Sequence, residues 1–530
     1  MAEALHNLAA EREEGNLEYK LKIDSVSEAR LEELATQMKY RLMEGGGEAF
    51  YELGVSNDGS LIGISQEELA NSVKNLERIA EKIGARIMPV RTIVGRRGKI
   101  EEVLVRRSRA ADFPISVYVS LLGNADAGKS TLISVLTTGE LDDGNGKAMS
   151  KICRYLHELE MRRTSSVSTH LLGYDELGNV VNYDLSNPSS EADVYLGSTK
   201  IITFVDLAGH ERYLRTTLKG VMGYVPDYAL IAISGSTELP SMAKEHMGLA
   251  VSLRVPFFIA VTKVDVAPKL ILEQTIRDVQ KVLKLPNVNK IPVLVRDIDD
   301  IVVCARHVSS GRIVPIFPIS STTGEGLERL VFFLDLLPPF YRWRDRLQED
   351  FLMYVDDKFN VPGVGAVISG LVLQGSCVAG SEMAIGPFPD SRFRDVRVRS
   401  IQVNRVFIER VIPGQEVTFA LSGIKFEEIR KGMAIVGRKD VSKPNWSFLA
   451  DVHLLHHPTT IKTGYHATFH VQTIRQAARF EWLSKEPLRS NDRAKARIRF
   501  LFRPEHVMKG QQFVFREGRT RGIGIITSVE

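Results

Sequence analysis

The sequence predicts a multidomain chain: a ferredoxin-like α+β N-terminal domain, an α/β domain built on a phosphate-binding loop, and two C-terminal β-barrels. Three observations predict it. An apolar alternating run, Ile115 to Leu122, leads through the Gly-rich turn Gly123-Asn124-Ala125-Asp126-Ala127-Gly128 into Lys129-Ser130-Thr131, where a helix begins. Apolar strands then alternate with helical patterns from Phe113 to about Leu337, as in a doubly wound parallel sheet. From Phe351 onward, turn signals recur at intervals of about 8–12 residues between short strands, which suggests barrels.

A length of 530 residues is room for roughly three or four domains. The expected divisions are 1–112, 113–342, 343–443 and 444–530. Lys+Arg at 69 against Asp+Glu at 65 is nearly balanced, so any argument for nucleic acid must be local. Cys153, Cys304 and Cys377 are far apart, which gives no metal spacing and fits a reducing cytosol. The acidic start (Glu3, Glu11, Glu13, Glu14) is not a signal peptide. No apolar run approaches the ~18 residues needed to cross a bilayer. A cytoplasmic monomer that engages no membrane is expected.

In the N-terminal domain, Leu17 to Ile23 alternates like a strand and Ser27 to Met43 has helical spacing. Glu48 to Ser56 and Leu61 to Ile64 read as a hairpin around Asn57-Asp58-Gly59. Gln66 to Ile83 is a second amphipathic helix, and Arg86 to Gly95 with Lys99 to Arg107 are two further strands. The order β-α-β-β-α-β with a trailing strand suggests the ferredoxin-like class. The basic tip Arg96, Arg97, Lys99 and the pair Arg106, Arg107 are either solvated turns or nucleic-acid contacts.

The α/β domain carries the chemistry. Glycines let the backbone of 123–128 curl so that its N–H groups face an anion, and the helix N-terminus adds further donors. Asn124, Ala125, Asp126, Ala127, Gly128, Lys129, Ser130 and Thr131 form the expected cradle. Lys129 reaches the β- and γ-phosphates, and the Ser130 hydroxyl ligates Mg²⁺. A long polar stretch, Gly139 to Thr199, reads as a functional or mobile loop. The strand Lys200 to Val205 ends in Asp206-Leu207-Ala208-Gly209-His210. Asp206 holds Mg²⁺ through water and Gly209 offers an N–H to the γ-phosphate. His210 is either a surface histidine or the group that handles the attacking water. After the strand Phe257 to Val261, Thr262-Lys263-Val264-Asp265 supplies a carboxylate for guanine N1–H and N2–H₂; adenine has no matching donors, so GTP is selected over ATP. Lys263 lies across the purine face. Ser320, Ser321 and Thr322 present backbone N–H groups to guanine O6, cap the following helix, or do both.

The last eighty-odd residues, Asn445 to Glu530, are dense in Arg and Lys, among them Arg493, Lys495, Arg497 and Arg499. Part of that set alternates with apolar residues and so lies on one sheet face. It is either a solvated face or a footprint for a phosphate backbone.

Gly123-x-x-Asp126-x-Gly128-Lys129-Ser130, Asp206-x-Ala208-Gly209-His210 and Lys263-x-Asp265, followed by two barrels, resemble a translational GTPase of the elongation factor Tu/elongation factor 1-alpha superfamily. Val398-Arg399-Ser400-Ile401-Gln402 and Ile429-Arg430-Lys431-Gly432-Met433 are similar to that family's second domain, and Phe515-Arg516-Glu517-Gly518 to its third. Arg163-Thr164-Ser165-Ser166-Val167 and Lys244-Glu245-His246 resemble the GTP-binding protein 1/2 branch. The resemblance implies GTP/GDP and Mg²⁺ as ligands, hydrolysis on the ribosome with His210 orienting the water, and delivery of aminoacyl-tRNA held by the barrels. It also implies a link to the mRNA-decay machinery. Ser166 aligns best with the switch residue that touches Mg²⁺, with Ser165 and Thr164 as fallbacks. Departures from the pattern are Ala208 for Pro, Thr262 for Asn, and Ala125 with Ser165 where apolar residues gate the histidine. The rival functions are a ribosome-rescue or mRNA-surveillance GTPase and an RNA-binding regulatory GTPase.

Overall fold

The computed structural model describes residues 8, 10–12, 14–24, 27–109, 113–151, 168–207, 223–439, 441, 443–518 and 520–530. In the N-terminal part, β1 (Leu17–Lys20), α1 (Glu28–Glu44), β2 (Glu48–Leu53), α2 (Gln66–Lys82), β3 (Ala85–Val94) and β4 (Lys99–Arg107) form a sheet of order β1-β2-β4-β3 with two helices packed on it. Leu31, Leu34, Met38 and Leu42 of α1 and Leu69, Leu76 and Ile79 of α2 share one buried cluster, as their 3–4 residue spacing requires. Ser27 caps α1, and Ser65 with Glu68 forms a capping box on α2.

The expected hairpin at 61–64 differs. The segment makes isolated bridges, Val55 to Leu61 and Ile64 to Lys99, so the order is β-α-β-α-β-β. The reason is a close backbone approach: a Cβ on Gly63 would lie 2.5 Å from Gly98 O. The segment crosses the β3–β4 tip instead of extending a ladder.

The α/β part has a seven-stranded sheet of order β10-β11-β9-β8-β5-β7-β6. Its strands are β5 (Ile115–Leu122), β6 (Ser168–Tyr174), β7 (Lys200–Asp206), β8 (Tyr228–Ser234), β9 (Phe257–Thr262), β10 (Ile291–Leu294) and β11 (Ile313–Pro318). Neighbours are parallel except β6, which runs antiparallel to β7. Chain order reverses at β5, so α3 (Lys129–Thr138) starts at the switch point where ligands of such sheets bind. The stretch 139–199 is not one loop. It contains α4 (Lys147–Ser150), β6 and a helix at Glu191–Gly197.

A buried ionic cluster joins the first two parts. Arg106 Nε donates to Glu48 Oε1 at 2.7 Å and its Nη2 to Asp335 Oδ1 at 2.7 Å, while Lys200 Nζ lies 2.8 Å from Glu48 Oε2. All four side chains are buried. Arg106 is therefore turned inward and is not a nucleic-acid contact. Arg306 pairs with both Glu52 and Glu102, and Arg91 with Glu102 at 2.8 Å.

Both expected barrels close. In the first, Leu352–Tyr354 pairs with Gly365–Gln374 and with Ala434–Gly437, which completes a ring through Glu382–Gly386, Arg394–Val403 and Glu416–Ser422. In the second, the strands Ser447–His456, Arg493–Phe500, Ile474–Leu483, His466–Val471, Gln512–Glu517 and Thr520–Val529 are neighbours in that cyclic order. Phe448, Phe469, Phe480, Phe513 and Phe515 fill its centre. The barrels meet through Arg430 and Glu505 at 2.7 Å and Thr473 Oγ1 donating to Val355 O at 3.0 Å. Glu416 N–H of the first barrel donates to Tyr118 Oη of β5 at 3.1 Å. Arg521 of the second pairs with Glu245 of the helix Ser241–Ser252 at 2.7 Å.

Candidate functional site

The loop between β5 and α3 is shaped by backbone conformations few side chains allow. Gly123 has φ 147°, and a Cβ there would lie 2.5 Å from Ala232 O of β8. Asp126 at φ 63° and Gly128 at φ 76° turn the chain into α3. Gly128 is the N-cap and offers no side-chain acceptor, so the first-turn N–H groups keep their capacity for an anion.

Lys129 is buried, and its Nζ donates to Gly123 O at 3.1 Å and Asn124 O at 2.9 Å. The ammonium is thereby held over the loop it closes. Burial pushes its pKa down, against the pull of the Asp206 and Asp126 carboxylates. Ser130 Oγ donates to Asp206 Oδ2 at 2.7 Å. Two side-chain oxygens from different elements, the start of α3 and the end of β7, thus meet beside the lysine. A pair of hard oxygen donors beside a phosphate cradle fits Mg²⁺, which keeps waters and takes one or two protein oxygens.

The base-reading side is linked to the loop. Thr262 Oγ1 donates to Ala127 O at 2.9 Å. One hydroxyl thereby ties the end of β9 to the cradle, a role that needs only a donor. Lys263 has φ 61°, which turns the chain so that Asp265 faces the loop 320–324. Thr322 Oγ1 donates to Asp265 Oδ2 at 2.7 Å. Partial burial raises the Asp265 pKa, but hydrogen bonds from Thr322 and Ser320 outweigh it and the net shift is downward. The carboxylate is kept ionised and can accept two N–H bonds. Ser320 is fully buried, and its Oγ accepts from Thr322 N–H at 3.2 Å and Thr323 N–H at 3.1 Å. Those two N–H groups are directed inward, so the loop's offer to guanine O6 is narrower than the sequence suggests. The next helix, Leu327–Leu336, is capped by Gly326 rather than by these hydroxyls.

The structure brings Lys129, Ser130 and Asp206 together at one end of the site and Lys263, Asp265, Ser320 and Thr322 at the other. Gly209, His210 and Ser166, with Ser165 and Thr164, lie outside the described residues. Sequence reasoning gave no role to two features. The Thr322–Asp265 bond was masked by the loop's Ser/Thr repetition. His246 is buried, with Nδ1 unpartnered among the described residues, and burial and the Lys129 charge push it down to about 4. Its burial is readable from Met242, Ala243 and Met247 on the same helix face.

A Gly-rich loop leading into Lys129 and Ser130 at the switch point of a doubly wound sheet, with two barrels docked on that domain, is the architecture of a translational GTPase. Residues 115–340 match the family described as "Elongation factor Tu GTP binding domain". GTP-binding protein 2 of Mus musculus is 43% identical over 535 residues, covering 99% of this chain and 88% of that protein. GTP-binding protein 1 of Xenopus laevis is 42% identical over 507 residues, covering 95% and 77%. The chain belongs to the GTP-binding protein 1/2 family. Among solved structures, a bacterial selenocysteine-specific elongation factor EF-Sec aligns with TM-score 0.56 at 16% identity, over 78% of this chain and 58% of that chain. Elongation factor SelB from Methanococcus maripaludis, with the GTP analogue GppNHp, aligns with TM-score 0.54 at 17% identity, over 79% and 80%. Those two likenesses concern the fold.

Proposed function

We propose that this GTPase delivers aminoacyl-tRNA, or a tRNA-like partner, to the ribosome and hydrolyses GTP when the ribosome completes its site. The observation that carries the reading is the Ser130–Asp206 contact of 2.7 Å beside a buried Lys129. It joins the phosphate cradle directly to the end of β7, whose continuation holds Gly209 and His210. A change at the γ-phosphate therefore has a short path into the segment after Asp206, and from the helix Ser241–Ser252 to the second barrel through Glu245 and Arg521.

In this mechanism the amides of 124–131 and Lys129 hold the phosphates and stabilise charge on the transferring group. Ser130, Asp206 and Ser166 would hold Mg²⁺, which when bound neutralises charge on the β- and γ-phosphate oxygens. His210 orients the attacking water. Asp265, with Thr262, Lys263 and the loop Ser320-Ser321-Thr322, selects guanine. The domains divide at 112, 342 and 443. The protein acts as a cytoplasmic monomer, and contact with mRNA-decay machinery rests on the family resemblance.

Filter binding with charged and uncharged tRNA, in GTP and in GDP, tests delivery. Preference for the charged form in GTP supports it. Equal weak binding to both contradicts it and favours a rescue factor whose barrels hold a protein.

A further inference from the structure

We propose that a pocket between the GTPase domain and the first barrel, with Arg109 in its wall, captures the C-terminal carboxylate of a partner peptide whose last residue is apolar.

The pocket holds about 300 Å³. Three separate parts of the chain build it. Arg109, Phe113 and Pro114 belong to the segment that leads from β4 into β5. Tyr195 and Leu196 come from the helix Glu191–Gly197. The strand Val406–Ile408 of the first barrel contributes its two end residues. Apart from Arg109, the lining is aliphatic or aromatic. Its volume is at the low end for ligand sites and suits one branched or aromatic side chain.

Arg109 makes the pocket selective. Its Nη1 is buried and has no hydrogen-bond partner among the described residues. The guanidinium lies over the Tyr195 ring, 5.5 Å from the centroid, which restrains its orientation. No carboxylate lines the pocket. Glu191, on the same helix as Tyr195, is engaged by Arg405 at 2.9 Å. A charged donor buried without an acceptor is costly, and a mere gap between packed domains gives no reason for one. A carboxylate removes that cost through a charge-assisted hydrogen bond. A phosphate dianion needs a second cation, and Arg109 is the one cation among the lining residues.

The surroundings favour a peptide over a small acid. Leu196 is 55% exposed, so apolar surface continues from the pocket to its mouth. Among the described residues, the strand Val406–Ile408 is paired on one side alone, with Arg394–Val403. An unpaired strand edge accepts an extended chain through backbone hydrogen bonds, which a small acid cannot supply. A peptide seated here touches the GTPase domain and the first barrel together and braces one against the other. The inference does not rest on tRNA delivery: no lining residue belongs to the nucleotide site or to the second barrel.

The test uses the full chain and fluorescence anisotropy of a labelled hexapeptide ending in Leu-Phe, prepared with a free C-terminal carboxylate and as the C-terminal amide. Arg109→Gln removes the charge, and Leu196→Glu puts a charge in the apolar wall. GTP affinity and thermal unfolding confirm that both variants fold. The expected result is saturable binding of the acid and about tenfold weaker binding of the amide, the worth of one hydrogen bond to a charged group. Arg109→Gln weakens binding of the acid by a similar factor and abolishes the difference between the two peptides. Leu196→Glu weakens both. The proposal is overturned by no saturable binding of the acid, by equal binding of acid and amide, or by an Arg109→Gln variant that still prefers the acid. Phenylbutyrate that binds as tightly as the peptide also overturns it and makes the pocket a small-acid site. Delivery is judged by the charged-tRNA titration of the unaltered chain, so the two readings fail separately.

Discussion

Thr322 Oγ1 donates a 2.7 Å hydrogen bond to Asp265 Oδ2, fixing the carboxylate proposed to read the base from a loop 57 residues away. The bond orients Asp265 before any nucleotide arrives. Thr322→Val removes the donor and keeps the shape. GTP affinity is expected to fall by about 10-fold, the worth of one hydrogen bond to a charged group. Competition binding with GTP, xanthosine triphosphate and ATP measures it. Asp265→Asn shifts preference toward the xanthosine nucleotide, and unchanged selectivity means Asp265 does not read the base.

His210→Ala removes the group assigned to the attacking water and leaves the cradle intact. GTP affinity is expected to stay within about twofold, while ribosome-stimulated turnover falls by about 10²- to 10⁴-fold. Single-turnover hydrolysis with and without ribosomes measures both. Retained stimulation contradicts the assignment.

Glu48 faces two buried cations, Arg106 and Lys200. Burial alone raises its pKa, and the two cations more than reverse that. Glu48→Ala removes the carboxylate that Lys200 pairs with and leaves Arg106 with Asp335 alone. Breaking a buried pair in this way costs about 3–5 kcal/mol. The first thermal transition is expected to fall by about 10 °C. An unchanged transition means the N-terminal domain is held by other contacts.

His506 gives acid sensitivity a definite direction. Burial holds it neutral and pushes it down to about 4 from 6.5. Between those values the unfolded chain binds a proton that the folded chain refuses, so stability is complete above 6.5 and falls as pH drops toward 4. At pH 5 the loss is about 2 kcal/mol relative to pH 8. His506→Gln should flatten the dependence of thermal unfolding between pH 8 and 5. An equally steep profile in the variant assigns the effect elsewhere; His246, shifted in the same direction, is the next candidate.

The phosphate cradle was legible in the sequence because its chemistry is local: glycines, Lys129 and Ser130 follow one another after an apolar strand. The barrels were legible from turn spacing. What could not be read depends on distant segments meeting. Arg106 looks like a surface charge until Glu48, Lys200 and Asp335 close around it. β6 is hidden inside a polar stretch because Ser168–Tyr174 opens on Ser-Thr-His and has only Leu171, Leu172 and Tyr174 as large apolar residues, although 171–174 are all buried. The segment 61–64 reads as a strand from its apolar residues Leu61, Ile62 and Ile64, whereas a glycine–glycine backbone contact fixes its course. Thr262 looked like a weakened guanine motif, and the structure gives its hydroxyl the work of holding the cradle.

The central claim is that the loop at 123–131 grips guanosine triphosphate with Mg²⁺ through Lys129, Ser130 and Asp206. Isothermal titration calorimetry of the full chain with GTP, in Mg²⁺ and in chelator, tests it most directly. The account predicts tight binding of GTP, no measurable binding of ATP, and at least a tenfold loss of GTP affinity on removing Mg²⁺ or on Ser130→Ala. GTP affinity that is absent, or that is indifferent to Mg²⁺, would contradict it.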